Sequence, residues 1–182
     1  MSFPSLGADF EKGFAAAQTG DFATALREWT PLAEQGYAPA QFNLGLMYDK
    51  GEGVLQDYNA AVAWYTLAAE QGYANAQFNL GLMYDKGEGV LQDYKTAVKW
   101  YTLAAEQGYA SAQTNLAILY AKGDGVIKDD VYAHMWANIA SSNGNEGGGK
   151  VREIVAEDMT PSQIGEAQTL ARECVAKNYK NC

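Results

Sequence analysis

Nineteen residues, AQFNLGLMYDKGEGVLQDY, occupy positions 40–58 and recur unchanged at 76–94. A looser third copy, AQTNLAILYAKGDGVIKDD, fills 112–130, so the step is 36 residues each time. The rest of the unit keeps the same step: WYTLAAEQGYA at 64–74 returns at 100–110. A fixed period of this length is how a stacked repeat architecture is written in sequence, because each unit leaves an apolar face that only a neighbour can cover. The remaining segments must continue the stack or close its ends.

One unit can be built from its residues. Ala40, Leu44, Met47 and Tyr48 share one face of a helix over 40–50. Gly45 lies beside that stripe at a cost of about 1 kcal/mol against alanine. The return expected for it is close approach of a neighbouring helix. Lys50 complements the dipole in the last turn, and Gly51 ends the helix. Gly53 allows a second unusual turn. Val54 and Leu55 are apolar in a polar loop and are expected to plug back into the core. Asp57 is suited to cap a second helix over 58–71, which carries Ala61, Trp64, Tyr65, Ala68 and Ala69 and stops at Gly72. Two such helices cannot bury their apolar faces alone, whereas stacked copies can.

The pattern A-x-x-x-L-G-x-x-Y-x-x-G-x-G-V, followed by D-Y-x-x-A-x-x-W-Y-x-x-A-A-x-x-G, resembles the Sel-1-like repeat, a relative of the tetratricopeptide repeat with a longer loop between its helices. The resemblance covers residues 21–143. It implies an all-α fold, a right-handed α-solenoid of stacked helix pairs with a concave surface that binds other proteins. It carries over no catalytic residue. The chain then divides into an N-terminal tetratricopeptide-like pair (8–38), three repeats (39–143) and C-terminal capping helices with a tail (144–182), all one domain over 1–182. In the first pair, Phe10, Phe14 and Ala17 share a face, Asp21 caps the second helix, and Trp29 falls 36 residues before Tyr65. After Asn143 the pattern degrades through Gly147, Gly148 and Gly149. A short helix is expected over 150–158. Thr160-Pro161-Ser162-Gln163 then starts a last helix that runs to Lys177 and lids the stack.

The 182 residues carry a net charge of -9, and the pI is near 4.5. An anionic chain is repelled by nucleic-acid backbones and acidic membrane surfaces, so neither is expected as a partner. No apolar run approaches the roughly 20 residues that span a bilayer, so membrane insertion is not expected. The start, MSFPSLGADF, has neither the basic region nor the apolar core of a signal peptide. Either the protein is cytoplasmic, or a leader has been removed and Met1 supplied in its place. Cys174 and Cys182 are the only cysteines. They are two free thiols or one disulfide that pins the tail to the last helix. Similarity to exported bacterial members with this kind of ending favours the disulfide, and with it a periplasmic or secreted protein.

Candidate chemistry is sparse. Residues 144–150 fit G-x-x-x-x-G-K, but Val151 stands where Ser or Thr should bind magnesium, and no strand precedes the loop. The acidic loop 49–57 places Gly51 and Gly53 where a calcium site needs oxygen ligands, so it reads as a turn and a cap. His134, the only histidine, holds the position of Val62 and Val98, which face the core. It lacks the third member of a nucleophilic triad. Neither S-x-x-K nor K-T-G occurs. No catalytic residue, cofactor or metal ligand is expected.

One constellation remains, on the back of the first helices. It consists of Phe42, Asn43, Leu46 and Lys50, then Phe78, Asn79, Leu82 and Lys86, then Asn115, Ile118 and Lys122. A ladder of asparagines flanked by apolar residues suits a peptide: the amides bond its backbone and the apolar groups hold its side chains. The competing reading packs the phenylalanines and leucines against the adjacent unit and gives the asparagines to local bonds. The function expected is a monomeric, non-catalytic scaffold for a protein or peptide. The alternatives are a cell-envelope enzyme acting on cell wall or β-lactams and a cytoplasmic scaffold.

Overall fold

In the computed structural model, which describes residues 8–182, ten helices follow one another and no strand occurs among the described residues. The expectations about the leader and Met1 fall on residues 1–7, outside the described residues. Four helix pairs come first: α1 (Phe10–Gln18) with α2 (Phe22–Glu34), α3 (Ala38–Lys50) with α4 (Tyr58–Glu70), α5 (Ala74–Lys86) with α6 (Tyr94–Ala105), and α7 (Ala110–Lys122) with α8 (Asp130–Ser142). The chain closes with α9 (Glu146–Ala156) and α10 (Pro161–Ala176). Each pair packs internally, and its second helix packs on the first helix of the next pair. This is a helical solenoid.

Local chemistry sets the boundaries. The Asp57 carboxylate accepts the N–H groups of Asn59 and Ala60, and Asp93 does the same for Lys95 and Thr96. Gly51, Gly87 and Gly123 end α3, α5 and α7 in the left-handed conformation. The loops then turn against the preceding pair. A Cβ on Gly89 would lie 2.4 Å from the Tyr58 carbonyl oxygen, and one on Gly125 would lie 2.5 Å from the Tyr94 carbonyl carbon. Each of these loops therefore rests on the start of the previous pair's second helix, backbone on backbone. Val54 and Val90 pack inward as expected. Leu55 does not: Leu55, Leu91 and Ile127 are 90%, 91% and 91% exposed. Of the couples Val54–Leu55 and Val90–Leu91, the valine reaches inward and the leucine stays in solvent.

Glycines inside the helices make room for aromatic rings. A Cβ on Gly45 would stand 2.5 Å from the Tyr65 ring, and one on Gly81 would stand 2.7 Å from the Tyr101 ring. Gly13 bears the same relation to Trp29, at 2.5 Å. In the diverged copy both members change together, to Ala117 and Ala137.

The pairs are also stitched by buried glutamines. Gln41, Gln77 and Gln113 donate to the carbonyls of Ala33, Ala69 and Ala105 in the preceding pair, at 3.0, 3.1 and 3.1 Å. Each side-chain oxygen accepts in turn from Gln71, Gln107 or Asn143 at the end of its own pair. A buried amide with both ends satisfied fixes the register of one pair on the next.

At the C-terminus α9 starts at Glu146 rather than near residue 150, so the three glycines lie inside it. Gly148 is needed there, since a Cβ would meet the Ala140 Cβ at 2.7 Å. α9 packs on α7 and α8, and α10 lies along α8. Thr160 and Gln163 form the expected capping box. Cys174 and Cys182 are disulfide-bonded. The tail so held gives the Tyr179 hydroxyl to Asn143 Oδ1 and the Asn181 N–H to Glu106 Oε1, both at 3.1 Å. Cys182→Ser is expected to lower unfolding stability by about 2–3 kcal/mol, since the closed loop is short. Urea denaturation beside the unsubstituted protein, both without reductant, measures this; equal midpoints would mean the tail contributes nothing.

His134 is buried, at 3% exposed, as its register with Val98 suggests. Its Nδ1 has no hydrogen-bond partner among the described residues. Burial, and then the charge of Arg152, hold its pKa below the usual value of 6.5. The folded state thus binds this proton less readily than the unfolded chain. Stability is complete above about pH 6.5 and falls as the pH drops below that value toward the folded-state pKa. His134→Val, which copies the other repeats, is expected to shrink the loss of melting temperature between about pH 7.5 and pH 5.5. An unchanged pH dependence would assign that loss to other groups.

Candidate functional site

The first helices α3, α5 and α7 are buried on two sides. Ala40, Leu44 and Met47 face the core shared with the first pair. Phe42 and Leu46 pack toward the second pair's core, as Phe78 and Leu82 do toward the third. The Phe42 ring lies 5.4 Å from that of Tyr73, and the Phe78 ring 4.9 Å from that of Tyr109. These four residues are half-buried, and their rings are engaged within the stack.

The asparagines divide. Tyr65 donates its hydroxyl to Asp49 Oδ2 at 3.1 Å, and the Asn79 side chain lies beside the same hydroxyl. The rung repeats as Tyr101 to Asp85 Oδ2 at 3.1 Å, with Asn115 beside it. Burial, and then the adjacent carboxylate, push both phenol pKa values up, so these hydroxyls stay protonated and keep donating. Asn43 has no such partner among the described residues. Trp29 stands where the tyrosine would be, and its Nε1–H donates to the Phe10 carbonyl at 3.2 Å.

Crevices open between successive first helices. A cavity of about 240 Å³ between α1, α2 and α3 is lined by Phe14, Phe22, Asn43, Leu46, Met47 and Lys50, among others. Between α5 and α7, a crevice of about 90 Å³ is lined by Asp85, Tyr94, Asn115, Ile118, Leu119 and Lys122, with Asp124 at its edge. Phe22, Asn43, Leu46, Met47 and Lys50 correspond to Tyr94, Asn115, Ile118, Leu119 and Lys122 at two repeat steps. Asp85 and Asn115, from the second rung, line the second crevice, whereas the first crevice has no such carboxylate–tyrosine rung and is wider. Lys50 and Lys122 are exposed at the rims, and Lys86 is exposed but lines neither crevice. Lys50 and Lys86 pair with Glu52 and Glu88 at 4.0 and 3.7 Å, exposed contacts that stabilise little.

Thus Asn43, Leu46 and Lys50 meet in one crevice, and Asn115, Ile118 and Lys122 in another. Phe42, Phe78 and Leu82 line neither, and Asn79 lies beside the Tyr65 hydroxyl. The sequence reading missed Phe14 and Phe22 as lining and missed the tyrosine rungs. A glycine twenty residues before each tyrosine was the available signal. Among the described residues no group of three or more His, Cys, Asp or Glu side chains converges as a metal ion would need, and no helix is long and apolar enough to cross a membrane.

Three consecutive matches to the Sel1 repeat, at residues 38–73, 74–109 and 110–145, take in over half of the chain. The chain belongs to the Sel1 repeat family. Each match begins at the first residue of a first helix, Ala38, Ala74 or Ala110. The protein is similar to a crystal structure of a Sel1 repeat protein from Oxalobacter formigenes, with 32% identity and a TM-score of 0.71, over 93% of this chain and 76% of that one. It is also similar to c5321, a protective antigen present in uropathogenic Escherichia coli strains that displays an SLR fold, with 30% identity and a TM-score of 0.58. That alignment covers 93% of this chain but 46% of c5321, so this Sel1 repeat chain spans under half of that protein's length. No curated protein matches it.

Proposed function

We propose that this Sel1 repeat protein is a non-catalytic scaffold that binds another protein, or an extended peptide of one, in the crevices between its first helices. The observation that carries the reading is the recurrence of one lining set (asparagine, aliphatic residue, lysine) in crevices two repeat steps apart. The wider crevice combines an apolar floor with an amide and a rim charge, which is the mixture a peptide needs, and the narrower one sets the same residue types beside Asp85 and Asp124. The net charge of -9 disfavours nucleic acid as the partner. The Cys174–Cys182 disulfide supports work in an oxidising compartment, the bacterial periplasm or outside the cell. A monomer suffices, since all the lining residues come from one chain.

Random peptides displayed on phage and panned on the purified protein test this. Enriched peptides should bind the unsubstituted protein, and Leu46→Glu or Ile118→Glu should weaken them at least tenfold while circular dichroism stays unchanged. Failure to enrich any peptide, or indifference to both substitutions, would sink the proposal.

A further inference from the structure

We infer that the wide cavity between α1, α2 and α3 anchors one large apolar side chain of the bound peptide, with the Asn43 amide bonding a peptide group beside it. This inference rests on the scaffold reading and assigns its affinity to one end of the stack. Three observations carry it. First, at about 240 Å³ the cavity falls below the roughly 300–1,000 Å³ of small-molecule and cofactor sites. It has room for a side chain, not for a nucleotide or a prosthetic group. Second, its floor is Phe14, Phe22, Leu46 and Met47, and Phe14 is still 45% exposed, so apolar surface is left uncovered in a concave place.

Third, Asn43 differs from its copies. Asn79 and Asn115 lie beside the hydroxyls of Tyr65 and Tyr101, which donate to Asp49 and Asp85. The Asn43 amide has no tyrosine and lines the cavity. An asparagine side chain offers both a donor and an acceptor, which a peptide group answers with both of its own. The cause is the change from tyrosine to Trp29, whose indole N–H is turned back to Phe10. The equivalent crevice between α5 and α7 is smaller, at about 90 Å³, and is lined by the carboxylates of Asp85 and Asp124.

The probe is N-acetyl-phenylalanine N-methylamide, one aromatic side chain between two peptide groups, titrated into the full chain and followed by NMR. Saturable shifts are expected at the Asn43 side-chain amide, the Met47 methyl and the Trp29 indole, at millimolar probe. Asn115 and Leu119 should not move. Phe14→Ala should weaken the probe at least fivefold, and the N-acetyl-alanine analogue should bind at least tenfold more weakly. Equal shifts at both crevices, or none at the cavity, overturn the inference. The first seven residues include Phe3 and Leu6, so a Phe3→Ser/Leu6→Ser variant is titrated in parallel. Binding seen only in that variant assigns the cavity to the chain's own beginning and overturns the inference too. If phage-selected peptides lose affinity in Ile118→Glu but not in Phe14→Ala, the scaffold reading stands and this inference alone falls.

Discussion

Replacing Gly89 by alanine is expected to cost about 3 kcal/mol or more of unfolding stability. Two effects combine. Gly89 sits at φ +71°, where a side chain costs roughly 1–2 kcal/mol. The new Cβ would also lie 2.4 Å from the Tyr58 carbonyl oxygen and 2.9 Å from the Asn59 nitrogen. Backbone cannot swing aside as a side-chain tip can, so the α5–α6 loop must lift off the start of α4, an overpacking penalty of roughly 1–3 kcal/mol. Gly72→Ala is the control: its φ is +87°, but nothing lies within 4 Å of the added atom, so only the conformational cost applies. Urea midpoints of the two variants decide the matter. If both lose the same stability, the contact between repeats carries no weight and the second glycine of each loop serves its turn alone.

Gly81→Ala is expected to destabilise by about 2–3 kcal/mol, and the sign should reverse once Tyr101 is gone. In the unsubstituted protein the added Cβ meets the Tyr101 ring at 2.7 Å, in a core where the ring is fully buried. Tyr101→Ala alone should cost about 3–5 kcal/mol, through the lost ring and the cavity it leaves. It also strands Asp85 without its hydroxyl partner. In that background Gly81→Ala has nothing to strike, fills space and improves helix propensity by about 1 kcal/mol, so it should stabilise. The pair then couples by about 3 kcal/mol in a double-mutant cycle. The chain has already made this double change in its third copy, as Ala117 with Ala137. Additive effects would show that the glycine and the ring do not meet.

Both predictions depend on residues far apart in the chain, and that separates what was legible from what was not. The capping aspartates, the helix-ending glycines and the Thr160–Gln163 start could be read directly, because each acts within a few residues of itself. The span of α9 could not be read, because its three glycines look like a loop until Ala140 is seen against Gly148. Leu55 looked like a core residue because hydropathy alone does not say which of two adjacent apolar side chains turns inward.

The asparagine ladder shows the same division at the candidate site. Its period was plain in the sequence, and Asn43, Asn79 and Asn115 look equivalent there. What distinguishes them lies 14 residues away along the chain: Trp29 before Asn43, Tyr65 before Asn79, Tyr101 before Asn115. Only when those rings fold against the first helices does one crevice stay open and another fill. The repeat, the helix pairs and the stacking follow from the order of residues, because periodic apolar faces and local caps leave no other way to bury the surface. Which members of the ladder lie beside a tyrosine and which crevice is wider emerge only in the folded stack, because contacts between neighbouring repeats set both.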